Sequence, residues 1–286
     1  MTRAAARSAS DLAPSAECRP FLKWAGGKTQ LLAELTRRLP PRFNRYFEPF
    51  LGGGALFFRV QPRNAFLSDI NAELINSYCA VRGEIDALLD DLRGHIYEAR
   101  HYYRLRNADR SPSFAAWPSV RRAGRFIYLN KTCFNGLHRV NSKGHFNVPF
   151  GRYVNPTIAD ERNLRACARA LRSAELAVKS FSDAAAGARR GDFVYFDPPY
   201  APLSGTSNFT SYNASGFDAA MQIELRDLFA ALDRKGVKVM LSNSSAPLVQ
   251  ELYRGFQIER VTAARAINSQ GEKRGQIEEV VIRNYD

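Results

Sequence analysis

The stretch that most restricts the architecture is residues 193–200, Phe-Val-Tyr-Phe-Asp-Pro-Pro-Tyr. Four consecutive apolar or aromatic residues behind Gly191 and Asp192 read as a short, fully buried strand. Pro198 and Pro199 end it, because neither offers an N–H and each fixes φ, while Asp197, lying before a proline, is held extended. A carboxylate, a bare carbonyl and an aromatic ring (Asp197, Pro198 and Tyr200) thus meet at the carboxyl end of a strand, where open α/β sheets bind ligands. The plain alternative is an ordinary strand that runs into a proline turn with an aromatic at the surface.

These groups suit attack by a planar exocyclic amine. In adenine or cytosine the amino lone pair is delocalised into the ring, so the nitrogen is a poor nucleophile. Acceptance of its two hydrogens by the Asp197 carboxylate and the Pro198 carbonyl stabilises charge that develops on nitrogen during attack. Tyr200 can stack on the base face, a contact worth about 1–3 kcal/mol. The string is similar to the (Asp/Asn/Ser)-Pro-Pro-(Tyr/Phe/Trp) signature of amino-methyltransferases that use S-adenosyl-L-methionine. Its Asp-Pro-Pro-Tyr form resembles the DNA adenine-N6 branch, the D12 class that includes the Dam enzymes. The resemblance implies that cofactor, and places Asp197 beside both it and the amine.

Charge points to the same partner. The chain carries 41 Lys and Arg against 28 Asp and Glu, a net charge of +13. Residues 101–172 alone hold 14 Lys and Arg against 3 Asp and Glu, interleaved with Tyr102, Tyr103, Phe114, Trp117, Tyr128 and Phe134. A basic segment rich in aromatics is the footprint of a nucleic-acid face, which the resemblance implies to be double-stranded DNA, with solvated basic helices as the alternative. The chain's 286 residues, 45% of them hydrophobic, can build one large α/β domain with an insertion, or two domains. No apolar run has the length of a membrane span and no secretory signal is evident, so a cytoplasmic protein is expected. Cys18, Cys79, Cys133 and Cys167 form no Cys-x-x-Cys pair, and none follows a proline, which counts against a cytosine-C5 methyltransferase nucleophile. With the four histidines dispersed, no metal is expected. Residues 1–19, rich in Ala, Arg and Ser, superficially resemble a transit peptide and are expected to form a disordered lead.

Two glycine turns precede the acid. Gly26-Gly27-Lys28-Thr29 looks like the tail of a phosphate-binding loop, but Leu22 stands where that motif needs its first glycine. Leu31, Leu32, Leu35 and Leu39 follow at helical spacing, which puts the glycine N–H groups at a helix start, open to a carboxylate. Residues 46–54 read as a strand and a three-glycine turn, and a second strand at 65–67 leads to Asp69, the pattern in which an acid binds ribose hydroxyls. Asp69 can also N-cap the helix from Ala72. By the resemblance, Trp24 and Lys28 contact the cofactor and Lys23 reaches DNA, Glu48 and Gly52 line the pocket, and Asp69 takes the ribose. Phe181, ending a strand read over 176–181, lies where the resemblance places contacts to the cofactor adenine, with an ordinary strand end as the alternative.

Residues 75–128 read as helical and increasingly basic, broken at Pro112 and Pro118. Residues 128–153 form a long loop or hairpin whose aromatics argue against disorder. This stretch resembles the recognition hairpin of DNA adenine methyltransferases that act on GATC. The resemblance implies a bidentate guanine contact for Arg139, with a phosphate contact as the alternative. It also implies that Phe134, Asn135 and Leu137 wedge into or contact the site, and that Arg152 and Tyr153 grip it. Asp160 and Asp218 read as helix caps, and residues 201–217, with Phe209 and Tyr212, as a lid. Strands at 237–241, 256–261 and 277–282 complete the sheet.

The expected architecture is α/β, a doubly wound, mostly parallel sheet of the S-adenosylmethionine-dependent methyltransferase fold over residues 20–74 and 163–286. An inserted, mainly helical DNA-recognition subdomain with a hairpin occupies 75–162. The expected activity is methylation of adenine N6 in duplex DNA, within GATC, by direct transfer from a monomer. The base must flip out of the duplex, at a cost of roughly a few kcal/mol. Cytosine-N4 methylation, amide or amine methylation on RNA or protein, and a non-catalytic DNA-binding protein stand as alternatives. The sequence leaves open whether the enzyme belongs to a restriction–modification pair.

Overall fold

The computed structural model describes residues 18–201, 217–263 and 277–286. The expected lid, apart from Ala201 and Phe217, and nearly all of the expected disordered lead lie outside the described residues. Seven strands form one sheet: β1 (Tyr46–Glu48), β2 (Ala65–Asp69), β3 (Ala174–Val178), β4 (Phe193–Phe196), β5 (Lys238–Ser244), β6 (Gln257–Ala263) and β7 (Ile277–Arg283). Their spatial order is β3-β2-β1-β4-β5-β7-β6. Neighbours from β3 across to β5 pair in parallel, whereas β7 runs antiparallel to both β5 and β6.

Side-chain alternation sorts the strands onto two cores. On one face Tyr46, Ala65, Leu67, Phe193, Tyr195 and Met240 are buried with Leu35 of α1 (Leu32–Arg37), Leu56 of α2 (Ala55–Val60), Leu74 and Tyr78 of α3 (Ala72–Gly83), and Leu164 and Leu171 of α7 (Glu161–Leu171). On the other, Phe47, Val194, Phe196, Val239 and Leu241 pack with Phe181 of α8 (Phe181–Ala185), Leu225 and Phe229 of α9 (Ala219–Arg234), and Val249 of α10 (Pro247–Leu252). All four residues of β4 are buried, two on each face. Each such side chain contributes about 1.5–3 kcal/mol relative to exposure, which holds β4 in place.

Between α3 and α7 lie α4 (Ile85–Arg93), α5 (Ala99–Asn107) and α6 (Ser119–Thr132). Leu88, Leu89 and Leu92 of α4 and Ala123 and Ile127 of α6 join the first core, while Tyr102, Leu105, Tyr128, Leu129, Cys133, Phe146 and Val148 make a third, smaller one. Helix α6 continues to Thr132, beyond the expected loop start at 128, because Tyr128, Leu129 and Thr132 keep facing buried neighbours and the Thr132 hydroxyl donates to the Tyr128 carbonyl at 2.6 Å. A 3-10 turn, Phe134–Gly136, leads into a hairpin marked by isolated bridges between Val140 and Phe146 and between Cys133 and Phe150.

Helix starts follow local chemistry. Asp160 and Asp218 cap α7 and α9, their carboxylates accepting from Asn163 N–H at 3.2 Å and Met221 N–H at 2.9 Å. Two expectations need correction. The cap of α3 is Asn71, which accepts from Leu74 N–H at 3.1 Å, not Asp69. Phe181 opens a helix rather than closing a strand, because Ser180 accepts from Asp183 N–H at 3.1 Å and ends the extended chain.

Candidate active site

Strand β1 has β2 on one side and β4 on the other, so the chain order reverses between β1 and β4 and a crevice opens at their carboxyl ends. Glu48 ends β1, Asp69 ends β2 and Asp197 follows β4, which brings three acids to one rim. Lys28, only 4% exposed, places Nζ 2.7 Å from Asp197 Oδ1. The same ammonium donates to the Gly26 carbonyl at 2.6 Å and stands 4.6 Å above the Tyr200 ring. Burial pushes the Asp197 carboxyl up to about 6, with Lys28 opposing the rise and Glu279 adding to it. Glu48 is buried and accepts from the Tyr46 hydroxyl at 2.7 Å. Burial, reinforced by the Asp197 charge, raises its carboxyl to about 8.

The first glycine turn differs from expectation. Gly27 N–H donates to the Trp24 carbonyl at 3.0 Å and precedes a 3-10 turn, Lys28–Leu31, so it is not open to an anion. The Lys28 side chain supplies the positive charge there instead. At the second turn, Gly52 has φ +47 and its missing Cβ would lie 2.6 Å from Trp24 Cδ1. Glycine is needed at 52 by the backbone and by the chain's own indole. Gly52 N–H donates to Asp69 Oδ2 at 3.1 Å, and its carbonyl accepts from the Tyr78 hydroxyl at 3.0 Å. Asp69 Oδ1 accepts from Asn71 N–H at 3.0 Å, and burial raises the Asp69 carboxyl. Ile70, next along, is 71% exposed, a large apolar side chain at the rim that the sequence reading passed over. Phe181 is buried and stacks on Phe50 with ring centroids 5.4 Å apart.

The segment after β4 is clamped from below by residues that sequence reasoning missed. Gln222 Nε2 donates to the Pro199 carbonyl at 3.1 Å, and Gln222 Oε1 accepts from Asn243 Nδ2 at 3.1 Å. Asn243 Oδ1 in turn accepts from Ala201 N–H at 3.2 Å, and the Ser244 hydroxyl donates to the Ala201 carbonyl at 2.6 Å. All three side chains are buried. The Tyr200 hydroxyl donates to Glu279 on β7. The signal was present in Ser242-Asn243-Ser244, a polar run at the carboxyl end of a strand that is otherwise apolar from Val239.

Recognition candidates gather on the hairpin. Phe134, Leu137 and Val140 are 48%, 39% and 45% exposed, and Asn135, Arg139 and Arg152 are exposed beside them. Arg139 Nε donates to Asn147 Oδ1 at 2.7 Å. Tyr153 faces inward: its hydroxyl donates to the Cys133 carbonyl at 2.9 Å, its N–H to the Tyr97 hydroxyl at 2.7 Å, and Lys23 Nζ lies 4.4 Å over its ring. Trp24 stacks on His138, with ring centroids 5.3 Å apart, and so ties the hairpin to the glycine turn at 52. Burial, with Arg125 nearby, lowers the His138 imidazole to about 4, so it is neutral at physiological pH. Among the described residues no cluster of His, Cys, Asp or Glu is arranged to hold a metal ion, and no helix is long and apolar enough to cross a membrane.

A doubly wound sheet with Asp-Pro-Pro-Tyr at its switch point is the arrangement that the sequence resemblance implies for a methyltransferase that acts on amino groups. The profile of the D12 class N6 adenine-specific DNA methyltransferases matches residues 24–267, and the chain belongs to that family. It is similar to the Type II methyltransferase M1.LlaDCHI of Lactococcus lactis subsp. cremoris, 46% identical over 271 residues that cover 93% of this chain and 95% of the relative. The Type II methyltransferase M.MjaIII of Methanocaldococcus jannaschii is 42% identical over 289 residues, covering 94% of this chain and 100% of the relative. The DNA adenine methylase of Haemophilus influenzae is 35% identical over 276 residues, covering 94% and 95%. The chain is therefore an adenine-N6 DNA methyltransferase, and the cytosine-N4, amide and non-catalytic alternatives fall away.

Proposed function

We propose that this enzyme, acting as a monomer, takes its methyl group from S-adenosyl-L-methionine and delivers it to the adenine of GATC, turned out of the duplex into the crevice between β1 and β4. The observation that carries the reading is Asp197 at the switch point, ion-paired to buried Lys28 and followed by the Tyr200 ring.

The rim suits that cofactor. Asp69 keeps lone pairs for hydroxyl groups beyond the two backbone bonds it accepts. Exposed Ile70 offers an apolar face to a flat ring, and Glu48 and Asp197 supply carboxyl groups beside a cation. Trp24 and Lys28 would hold the amino-acid end, Glu48 and Gly52 the floor, Asp69 the ribose, and Phe181 with Phe50 the adenine side. When bound, the cofactor supplies an electrophilic methyl group on a sulfonium.

The chain's own residues do the rest. With its carboxyl at about 6, Asp197 is ionised at neutral pH and accepts one amino hydrogen while the Pro198 carbonyl accepts the other. A carboxylate of that basicity is a weak base toward a neutral amine, so proton loss follows bond formation. Tyr200 stacks on the flipped adenine, whose extraction costs roughly a few kcal/mol. The Gln222–Asn243 clamp holds the Pro199 carbonyl and with it the segment that carries Pro198 and Tyr200. Residues 75–162 act as the recognition subdomain, where Arg139 reads a guanine, Phe134, Asn135 and Leu137 enter the site, and Lys23 and Arg152 hold the backbone. Tyr153 serves by bracing the hairpin and Lys23.

The test is transfer of labelled methyl from S-adenosylmethionine to two duplexes that differ only in the presence of GATC, with the product nucleoside identified. Label as N6-methyladenine in the GATC duplex alone is expected, and Asp197→Ala should abolish it with duplex binding retained. Equal label in both duplexes would discard GATC, and no transfer from this donor would discard the cofactor.

A further inference from the structure

Two buried asparagines hold the N-terminal strap in the same way, and one of them also grips the recognition turn. Asn163 Oδ1 accepts from Arg19 N–H and its Nδ2 donates to the Arg19 carbonyl, both at 3.0 Å. Asn130 does the same to Lys23, at 2.8 Å and 2.7 Å, and its Nδ2 also donates to the Gly136 carbonyl at 3.1 Å. Its amide is 3% exposed, with both amide hydrogens committed.

We infer that Asn130 is a positioning residue that couples the seating of the recognition turn on DNA to the catalytic pair. The geometry forms a continuous path. Gly136, at φ +65, lies under the Lys23 stem so closely that a Cβ would meet Lys23 Cδ at 2.4 Å. Trp24 follows Lys23 and rests on His138 and Gly52, and a short way along the strap Lys28 pairs with Asp197. Within the turn Asn135 lies in the left-handed region at φ 54 and Phe134 is exposed. If contact with DNA shifts the Gly136 carbonyl, Asn130 must either follow it or leave a buried donor unpaired, so strap and turn move together. Coupling along such a hydrogen-bonded chain requires that the turn adopt a second arrangement on DNA. The inference rests on the reading that residues 134–139 contact the target sequence.

The experiment compares single-turnover methylation of a GATC duplex and of a duplex with one of those base pairs replaced, for the unmodified enzyme, Asn130→Asp and Asn163→Asp. Asn130→Asp keeps the acceptor for Lys23 N–H and turns an oxygen toward two carbonyls. The cognate rate should fall about tenfold or more, the equivalent of one or two buried hydrogen bonds. The rate on the replaced duplex and the affinity for S-adenosylhomocysteine should change by less than about threefold, so that the preference for GATC shrinks. Asn163→Asp should lower the melting temperature and leave that preference intact. If Asn130→Asp does not fold, Asn130→Ser removes the amide's bonds to the Gly136 and Lys23 carbonyls without adding charge and is read in the same way. Equal slowing on both duplexes, or an unchanged preference, would overturn the coupling while leaving the recognition reading in place. An unmodified enzyme that methylates both duplexes equally would overturn the recognition reading and the coupling with it.

Discussion

The Lys28 ammonium lies 2.7 Å from the Asp197 carboxylate, and the pair joins the first glycine turn to the strand end at the switch point. A lysine this deeply buried needs an anion, and a carboxylate in this position needs a cation to stay ionised. Lys28 thereby opposes the effect of burial on the Asp197 carboxyl.

Removing the cation should therefore move the pH profile. Lys28 opposes the effect of burial on Asp197, so in Lys28→Met the carboxyl rises above about 6, and the protonated, inactive form persists to higher pH. The acid limb of log kcat/KM against pH, expected near 6 in the unmodified enzyme, should shift upward in the variant. A limb that stays in place would assign that ionisation to another group.

Glu48 makes a separate prediction for stability. The folded chain holds this proton to about 8, whereas an unperturbed glutamate releases it near 4.5. Between those values the folded state binds the extra proton, so its stability is full below the lower value and declines as pH rises through the upper one. Glu48→Gln should abolish this decline, on the order of a few kcal/mol, seen as urea midpoints that no longer fall between pH 5.5 and 8.5.

At Tyr200 the ring and the hydroxyl can be separated. The hydroxyl anchors to Glu279, while one ring face is covered by Lys28. Tyr200→Phe should retain kcat/KM within a few-fold, and Tyr200→Ala should lose about 1–3 kcal/mol of transition-state stabilisation, the value of one stacked base. Equal losses in the two variants would make the hydroxyl anchor the important part.

Arg139→Ala should relax discrimination at one base pair by about 1–3 kcal/mol and leave the others unchanged. The side chain is exposed and tethered through Asn147, so the fold should be unaffected. Uniform weakening on every sequence, with a shallower salt dependence, would identify a phosphate contact instead.

Gln222→Leu should leave the Pro199 carbonyl and Asn243 Nδ2 without the partners they now share. Each buried polar group left unpaired costs about 1–3 kcal/mol, so the melting temperature should fall. Because the loosened segment carries Tyr200, kcat should fall more than KM rises; a change in stability alone would limit Gln222 to packing.

The parts legible in the sequence were those whose causes are local. The apolar run at 193–196 and its prolines marked β4 and its end, and Asp160 and Asp218 marked helix starts because a cap acts on residues only three away. Phe181 was misread because a short apolar stretch has no decisive period, while the Ser180-to-Asp183 cap beside it carried the answer. Asn130 looked like loop composition, although its amide is buried between two backbone segments. The pairing of Lys28 with Asp197, and of Gln222 with Asn243 and Pro199, had no local signature at all. Those contacts exist only once strand order brings distant stretches together.

One indole serves two neighbours. Trp24 fills the space a side chain at 52 would occupy and stacks on His138 of the hairpin. The hairpin is accordingly no interchangeable cassette. If the hairpin reads DNA as proposed, a chimera that imports another such loop must also bring a residue at 138 that seats flat against Trp24, or the graft will disturb the glycine turn at 52. New specificities in this scaffold are constrained by that shared ring as much as by the bases they must distinguish.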